Sequence, residues 1–366
     1  MYGFKNMKLI LKIVLIAGGI SGCLAKDNLA IKERIESSPQ YKEGKFVNKK
    51  EMPDFEFSIS EMYQGLKGIY FTEQPGSIPK ELLPIKKVTY DNFYIDNKEA
   101  FHYTRLGHSS IMFQLEGKVW LTDPVFEDFI TPYEWIGWKR FHPVPLDLDS
   151  VGQIEGIIIS HDHYDHLEEE AIIRLKDKVN YFIVPLGVGK RLVEWGVPKE
   201  KIRSLDWWES TKIGDVELIS TPSQHFSGRT LFDRASTLWS SWVVRANGKS
   251  LFFSGDSGYF DGFKRIGEKY GPFDITFMEN GQYNERFEYI HMFPEQTIQA
   301  HKDLKGKLLV PIHNGTFKIS FHPWNEPMER ISTLAKKEKT NVLIPKMGEV
   351  IDILSPPIKL EEWWKK

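Results

Sequence analysis

Hydrophobic and polar positions fall into a regular pattern only from about His102 onward. Ser110 to Leu115 and Lys118 to Thr122 flank Glu116-Gly117, which predicts two strands joined as a hairpin. Ile154 to Ser160 is a short apolar run, as expected of a buried strand. Glu168 to Lys176 changes to helical spacing, and a strand at Tyr181 to Val184 and a helix near Lys190 to Trp195 follow. Strand character returns from Val216 to Thr221. Trp239 to Arg245 and Ser250 to Gly255 then form another hairpin around Asn247-Gly248, a pair suited to turns that need positive φ. Beyond it, helices at Gly262 to Lys269, Glu295 to Asp303 and Pro327 to Lys337 alternate with strands at Ile275 to Met278 and Leu308 to Ile312. The order is mainly antiparallel strands first and strand–helix alternation later. An α/β (α+β) layered fold follows, because helices over sheets bury both sheet faces economically. No internal repeat is legible in the letters.

The chain before His102 reads differently. Residues 24–60 are charged and weakly patterned, as in Lys49-Lys50-Glu51, like a tether leading into an early folded segment. Pro75, Pro79 and Pro84 punctuate the next stretch. At the start, Lys5, Lys8 and Lys12 accompany the apolar run Leu9 to Ile20, which is too short to span a bilayer comfortably. That arrangement reads as an export signal, and Ile20-Ser21-Gly22-Cys23 resembles the lipobox of bacterial lipoproteins. Cys23 is the single cysteine, so it suits lipidation and excludes an internal disulfide. The expected organisation is a signal peptide over 1–22, then a tether and N-terminal segment packing on the main domain over 23–100. The main domain runs over 101–354. A lipid anchor would place the protein in the bacterial cell envelope, facing periplasm or exterior.

Composition adds two constraints. A hydrophobic fraction of 41% with 24 phenylalanines supplies a substantial core. The net charge of −2, without a long Lys/Arg run, argues against nucleic acid as a partner.

The chemistry concentrates in Ser160-His161-Asp162-His163-Tyr164-Asp165-His166, which packs three imidazoles and two carboxylates into seven residues directly after the apolar strand Ile157-Ile158-Ile159. Imidazole nitrogen and carboxylate oxygen are the ligands that zinc and its first-row neighbours take. His161 and His163 lie two apart, so on extended chain they share one side and can grip one ion. Asp165 and His166 follow at once and, if the chain turns, can hold a second. Asp162 points the other way. Three further residues sit just past apolar strands: His225, Asp256 in a glycine-flanked turn, and His313. No serine or cysteine nucleophile stands out.

These positions, with Asp123 after the second strand, resemble the metallo-β-lactamase superfamily. Within it, the chain is similar to the branch of N-acyl-phosphatidylethanolamine-hydrolysing phospholipase D and its bacterial lipoprotein relatives. The carrying strings are Arg105-Leu106-Gly107-His108-Ser109-Ser110, Asp123-Pro124-Val125-Phe126, Leu205-Asp206-Trp207-Trp208-Glu209 and Gly255-Asp256-Ser257-Gly258-Tyr259. The likeness begins near Gly44-Lys45-Phe46-Val47-Asn48 and ends near residue 320.

The resemblance implies an αββα sandwich of two mainly antiparallel sheets flanked by helices. It implies that His161, His163 and His225 bind one metal, that Asp165, His166 and His313 bind the other, and that Asp256 bridges them. Asp123 and His108 would orient ligands by hydrogen bonds. Asp165 would also orient the attacking hydroxide, and His291 would stabilise the transition state or protonate a leaving oxygen. Two Zn2+ ions, or another divalent transition metal, are the expected cofactors. The implied function is a phosphodiesterase of phospholipase D type, acting on N-acyl-phosphatidylethanolamine-like lipids through a metal-bridging hydroxide. A metal-dependent lactonase or esterase on a small soluble substrate is the alternative, and a metal-binding lipoprotein without turnover a third reading. Two departures fall beside the expected substrate groove: a shorter segment from Gly281 to His291, and Asn314 where the mammalian enzyme carries tryptophan.

Overall fold

A computed structural model describes residues 29–50, 75–131, 137–230 and 232–365. The leader and Cys23 lie outside the described residues. The first elements are a small hairpin, β1 (Tyr41–Lys42) and β2 (Lys45–Phe46). One large sheet then takes β3 (His102–Gly107), β4 (Ser110–Leu115), β5 (Lys118–Thr122), β6 (Ile154–Ile158), β7 (Val179–Pro185) and β8 (Ile202–Leu205). The other takes β9 (Ser210–Ile213), β10 (Val216–Thr221), β11 (Ser241–Ala246), β12 (Lys249–Phe253), β13 (Phe273–Glu279) and β14 (Gly306–Ile312). A last strand, β15 (Val350–Asp352), returns to the first sheet and pairs antiparallel with β3.

The strand orders are β15-β3-β4-β5-β6-β7-β8 and β14-β13-β12-β11-β10-β9. Both sheets begin as antiparallel hairpins and end parallel: β3, β4 and β5 pair antiparallel, whereas β5 to β8 pair parallel. Likewise β9 to β12 pair antiparallel and β12 to β14 parallel. The structure therefore holds two halves of one plan, although no letters repeat. The parallel ladders appear where the intervening chain is long enough for a crossover.

Alternation along each strand sorts residues into layers. Ile158, Tyr103, Phe113 and Trp120 from the first sheet meet Trp242, Phe253, Ile275 and Phe277 from the second in the inter-sheet core. Their neighbours Ile157 and Phe182 face outward under the helices Glu169–Leu175 and Gly189–Glu194, meeting Ile172, Leu175 and Leu192. Phe252 and Met278 face the opposite way, under Gly262–Tyr270, Pro294–Asp303 and Glu326–Glu338. Helix, sheet, sheet and helix thus form four layers.

The folded unit continues past residue 354, because Trp363 and Trp364 are buried in the outer core of the second sheet. At the other end, Phe46 packs with Trp207, Leu238 and Trp239, while Val88 and Phe93 join the outer core of the first sheet. Among the described residues, no helix is long and apolar enough to cross a membrane.

Candidate metal centre

The sheets bring their chemistry together at one edge, where strands end and loops begin. Asp123 follows β5, the run Ser160–His166 follows β6, and His108 sits in the turn between β3 and β4. From the second sheet come His225 after β10, Asp256 after β12 and His313 after β14. At three of these positions the chain enters the left-handed region: Asp123 has φ 33°, His108 φ 49° and His313 φ 63°. Such backbone costs roughly 1–3 kcal/mol per residue and persists only where its surroundings enforce it. Gly255 has φ +55°, and a Cβ there would lie 2.4 Å from that of Ser160. Glycine at that point lets the two sheet edges close on each other.

The closure gathers seven side chains that could hold a metal. His161 Nε2 lies 2.8 Å from His163 Nδ1, which is 3.3 Å from His225 Nε2. Beside this trio, Asp165 Oδ2 lies 3.3 Å from His313 Nε2 and 3.5 Å from His166 Nε2. Asp256 stands between the groups, with Oδ1 3.1 Å from His166 Nε2 and Oδ2 3.1 Å from His313 Nε2. Its Oδ2 is also 3.8 Å from His225 Nε2. The ligand atoms of each group, including His108 with Asp165, His166 and His313, fall within 4.8 Å of one another. His163 and Asp165 are half-buried and the other five buried, so the cluster opens on one side.

The outer ring nitrogens determine which atoms face inward. Asp123 accepts a hydrogen bond from Ser160 N–H at 2.7 Å and another from the Ser160 hydroxyl at 2.5 Å. Because that hydroxyl donates to Asp123, it accepts from His161 Nδ1, 2.9 Å away. His166 Nδ1 donates to Asp123 Oδ2 at 2.7 Å, and His225 Nδ1 donates to the Ile290 carbonyl at 3.1 Å. For His161 and His225 this leaves the Nε2 lone pair directed into the cluster, whereas at His166 burial opposes the proton but Asp256 and Asp165 hold it well above the ordinary imidazole range.

Burial and neighbouring imidazoles hold His161 well below the ordinary imidazole range. Burial likewise lowers His225, although Asp256 pulls the other way. For His313, burial opposes the proton, but Asp256 and Asp165 reverse that and lift it to about 10. Lone pairs facing one another beside buried carboxylates form a donor set that a cation fits and that little else satisfies. His166 Nε2 and Asp256 Oδ1 also lack any hydrogen-bond partner among the described residues.

His108 donates to Asp165 at 3.0 Å. Asp162 turns away from the cluster, accepting from Arg191 Nε at 2.7 Å and Gly228 N–H at 2.8 Å. Asn314, the residue after His313, is tied into the interior. It is buried, its amide donates to the Ile312 and Asn280 carbonyls, and Arg105 Nη2 donates to its Oδ1 at 3.1 Å. The buried guanidinium and the ends of β13 and β14 hold it inward.

Glu279, at the end of β13, was not legible as a site residue. It is fully buried, contacts His291 Nδ1 and accepts from Ser257 N–H at 2.9 Å. Burial pushes its carboxyl up against the pull of His291. The available signal was its position, an acid ending a strand whose neighbours carry Asp256 and His313. His291 itself lies at the rim, 4.0 Å from Asp256 Oδ2.

Two layered sheets with a histidine–carboxylate cluster at one edge define a metallo-hydrolase type of site. The chain belongs to the β-lactamase superfamily, whose domain model, Beta-lactamase superfamily domain, matches residues 119–314. It is 35% identical over 351 residues to an uncharacterized protein of Mycobacterium tuberculosis, covering 95% of this chain and 93% of that one. It is 31% identical over 286 residues to N-acyl-phosphatidylethanolamine-hydrolyzing phospholipase D 1 of Caenorhabditis elegans, covering 73% and 80%. A 94-residue stretch is 47% identical to the outer membrane protein RomA of Klebsiella pneumoniae, covering 26% of this chain and 70% of RomA. Among solved structures, Igni18, a metallo hydrolase from Ignicoccus hospitalis, shares the fold with TM-score 0.52 and 21% identity. It covers 69% of this chain and 97% of Igni18.

Proposed function

We propose that this protein is a binuclear zinc-dependent phosphodiesterase of phospholipase D type, acting on N-acyl-phosphatidylethanolamine-like lipids. The observation that carries the reading is the paired donor set, three imidazoles beside a carboxylate-rich group with Asp256 between them. The likeness to the nematode phospholipase supports the substrate class. In this reading His161, His163 and His225 hold one ion, Asp165, His166 and His313 the other, and Asp256 touches both. Two divalent cations there would activate a water near neutral pH and neutralise charge on the phosphoryl oxygens.

The chain's own residues do the rest. Asp165, accepting from His108, keeps a carboxylate oxygen directed into the cluster to orient the attacking water. Asp123 fixes His161 through Ser160 and His166 directly. His291 gives its proton to the leaving oxygen as the phosphorus–oxygen bond breaks, and Glu279, bound at Nδ1, holds the ring for that transfer. Lipidation of Cys23 would keep this edge beside envelope phospholipid, consistent with the partial likeness to an outer membrane protein.

The test is hydrolysis of N-acylated and plain phosphatidylethanolamine by the purified protein. Phosphatidic acid should appear from the N-acylated lipid, vanish with chelator and return with zinc. Metal-independent turnover, or none on either lipid, would overturn the assignment, and lactone and ester panels would then assess the small-substrate alternative. Cys23→Ser should move the protein from the membrane fraction to the soluble fraction of the producing cell.

A further inference from the structure

Residues 222–230 and 232–240, the described part of the connection that carries His225, have no regular secondary structure, so His225 itself has no ladder partner within a sheet. The N-terminal arm supplies that partner. Asn48 Nδ2 donates to the His225 carbonyl at 2.6 Å, and His225 N–H donates to Asn48 Oδ1 at 3.1 Å. One side-chain amide thereby engages both backbone groups of His225, as a β-ladder would.

The clamp is itself anchored. Trp239 Nε1 donates to the same Oδ1 at 3.0 Å, and Phe46 N–H donates to the Ala235 carbonyl at 2.8 Å. Phe46 is buried among Trp207 and Trp239. On the other side of the ring, the Ile290 carbonyl holds Nδ1. The backbone and the outer nitrogen of His225 are therefore both fixed, and Nε2 has one direction left.

We propose that Asn48 is a positioning residue for His225, making the N-terminal arm part of the first metal site. The proposal rests on the metal-centre reading above. Asn48 touches no ligand atom of the cluster, so it acts by holding the ligand's backbone. His161 and His163 share one short run, whereas His225 reaches the same ion from a long connection. The ion held by that trio is consequently the one that depends on the arm.

The experiment compares full-length wild type with Asn48→Ala, Asn48→Asp and Trp364→Ala, which opens the outer core of the second sheet. Zinc per chain is measured across a graded chelator series, together with the absorption spectrum of the cobalt-loaded protein and Tm. Asn48→Ala should weaken one of the two ions by about 10- to 100-fold, alter the cobalt spectrum and leave the other ion in place. Asn48→Asp should behave alike, since its carboxylate offers no donor to the His225 carbonyl. Trp364→Ala should lower Tm without changing either metal affinity. Wild-type metal binding in Asn48→Ala, or losses that merely follow Tm in all variants, would overturn the role of Asn48 alone. A wild-type protein that binds no metal would overturn the metal-centre reading as well.

Discussion

The two sheets follow one plan but hand their residues to the site in opposite ways. In the first, β5 and β6 lie side by side and deliver Asp123 and the whole Ser160–His166 run from adjacent tips. In the second, His225, Asp256, Glu279 and His313 arrive singly, from β10, β12, β13 and β14. Asp123 and Asp256 follow corresponding strands, β5 and β12, where antiparallel pairing gives way to parallel. Their tasks nevertheless differ. Asp256 faces the imidazoles, whereas Asp123 stands behind them and accepts from Ser160 and His166. Equivalent backbone positions have thus become a carboxylate that faces the imidazoles and one that stands behind them. The comparison can be tested at each step.

The largest effects should come from removing one imidazole of the trio from either sheet. His161→Ala and His225→Ala should each lower the hydrolysis rate on the order of 10³-fold, several kcal/mol of lost transition-state stabilisation. Metal analysis of the purified variants should show the same ion weakened in both. Loss of different ions would break the idea that the two sheets share each one.

Next comes the pair of carboxylates. Asp123→Asn should reduce metal affinity or rate by about 10- to 100-fold, the usual cost of losing a hydrogen-bonding partner behind a ligand. Asp256→Asn should cost more, measured under the same conditions. Equal losses would mean that Asp123 does more than hold Ser160 and His166.

The same contrast explains what was legible in the sequence. The first sheet writes its candidate ligands as one word, because His161, His163, Asp165 and His166 all stand on the single loop after β6. His225, Asp256 and His313 could be read as polar residues after apolar strands. Glu279 could not, since a single acid ending β13 looks like any strand terminus until Ser257 and His291 fold onto it. Asn48 lies 177 positions before His225, and no local pattern marks such a pairing. Layering and most elements followed from periodicity. The parallel ladders did not, because β5 and β6 are joined by residues 123–153, whose letters say nothing about the direction of return. The equivalence of the two halves resides in strand order, which side-chain letters do not record.

A smaller effect tests how firmly the sheets are joined behind the site. Trp242 of β11 is buried in the inter-sheet core, and its Nε1 donates to the Ile159 carbonyl at 2.9 Å. Trp242→Phe keeps an aromatic ring but leaves that buried carbonyl short of a partner. It should cost about 1–2 kcal/mol in denaturant unfolding. Unchanged stability would show that apolar packing alone joins the sheets.

The smallest effect belongs to the end of the second sheet away from the cluster. Glu217, near the start of β10, lies opposite Arg245 of β11, and the pair meets at 2.7 Å. Their side chains are 33% and 43% exposed, so solvent screens the attraction that their separation would suggest. Holding two long side chains in one geometry also costs rotamer entropy, and such pairs contribute at most about 1 kcal/mol. Glu217→Ala should therefore shift the unfolding midpoint slightly, and less so in high salt. Zinc content and rate should stay at wild-type values, because β10 carries its chemistry at the other end, beyond Thr221. A lost ion in this variant would mean that register along β10–β11 is transmitted to His225, and that the two ends of the second sheet are less independent than those of the first.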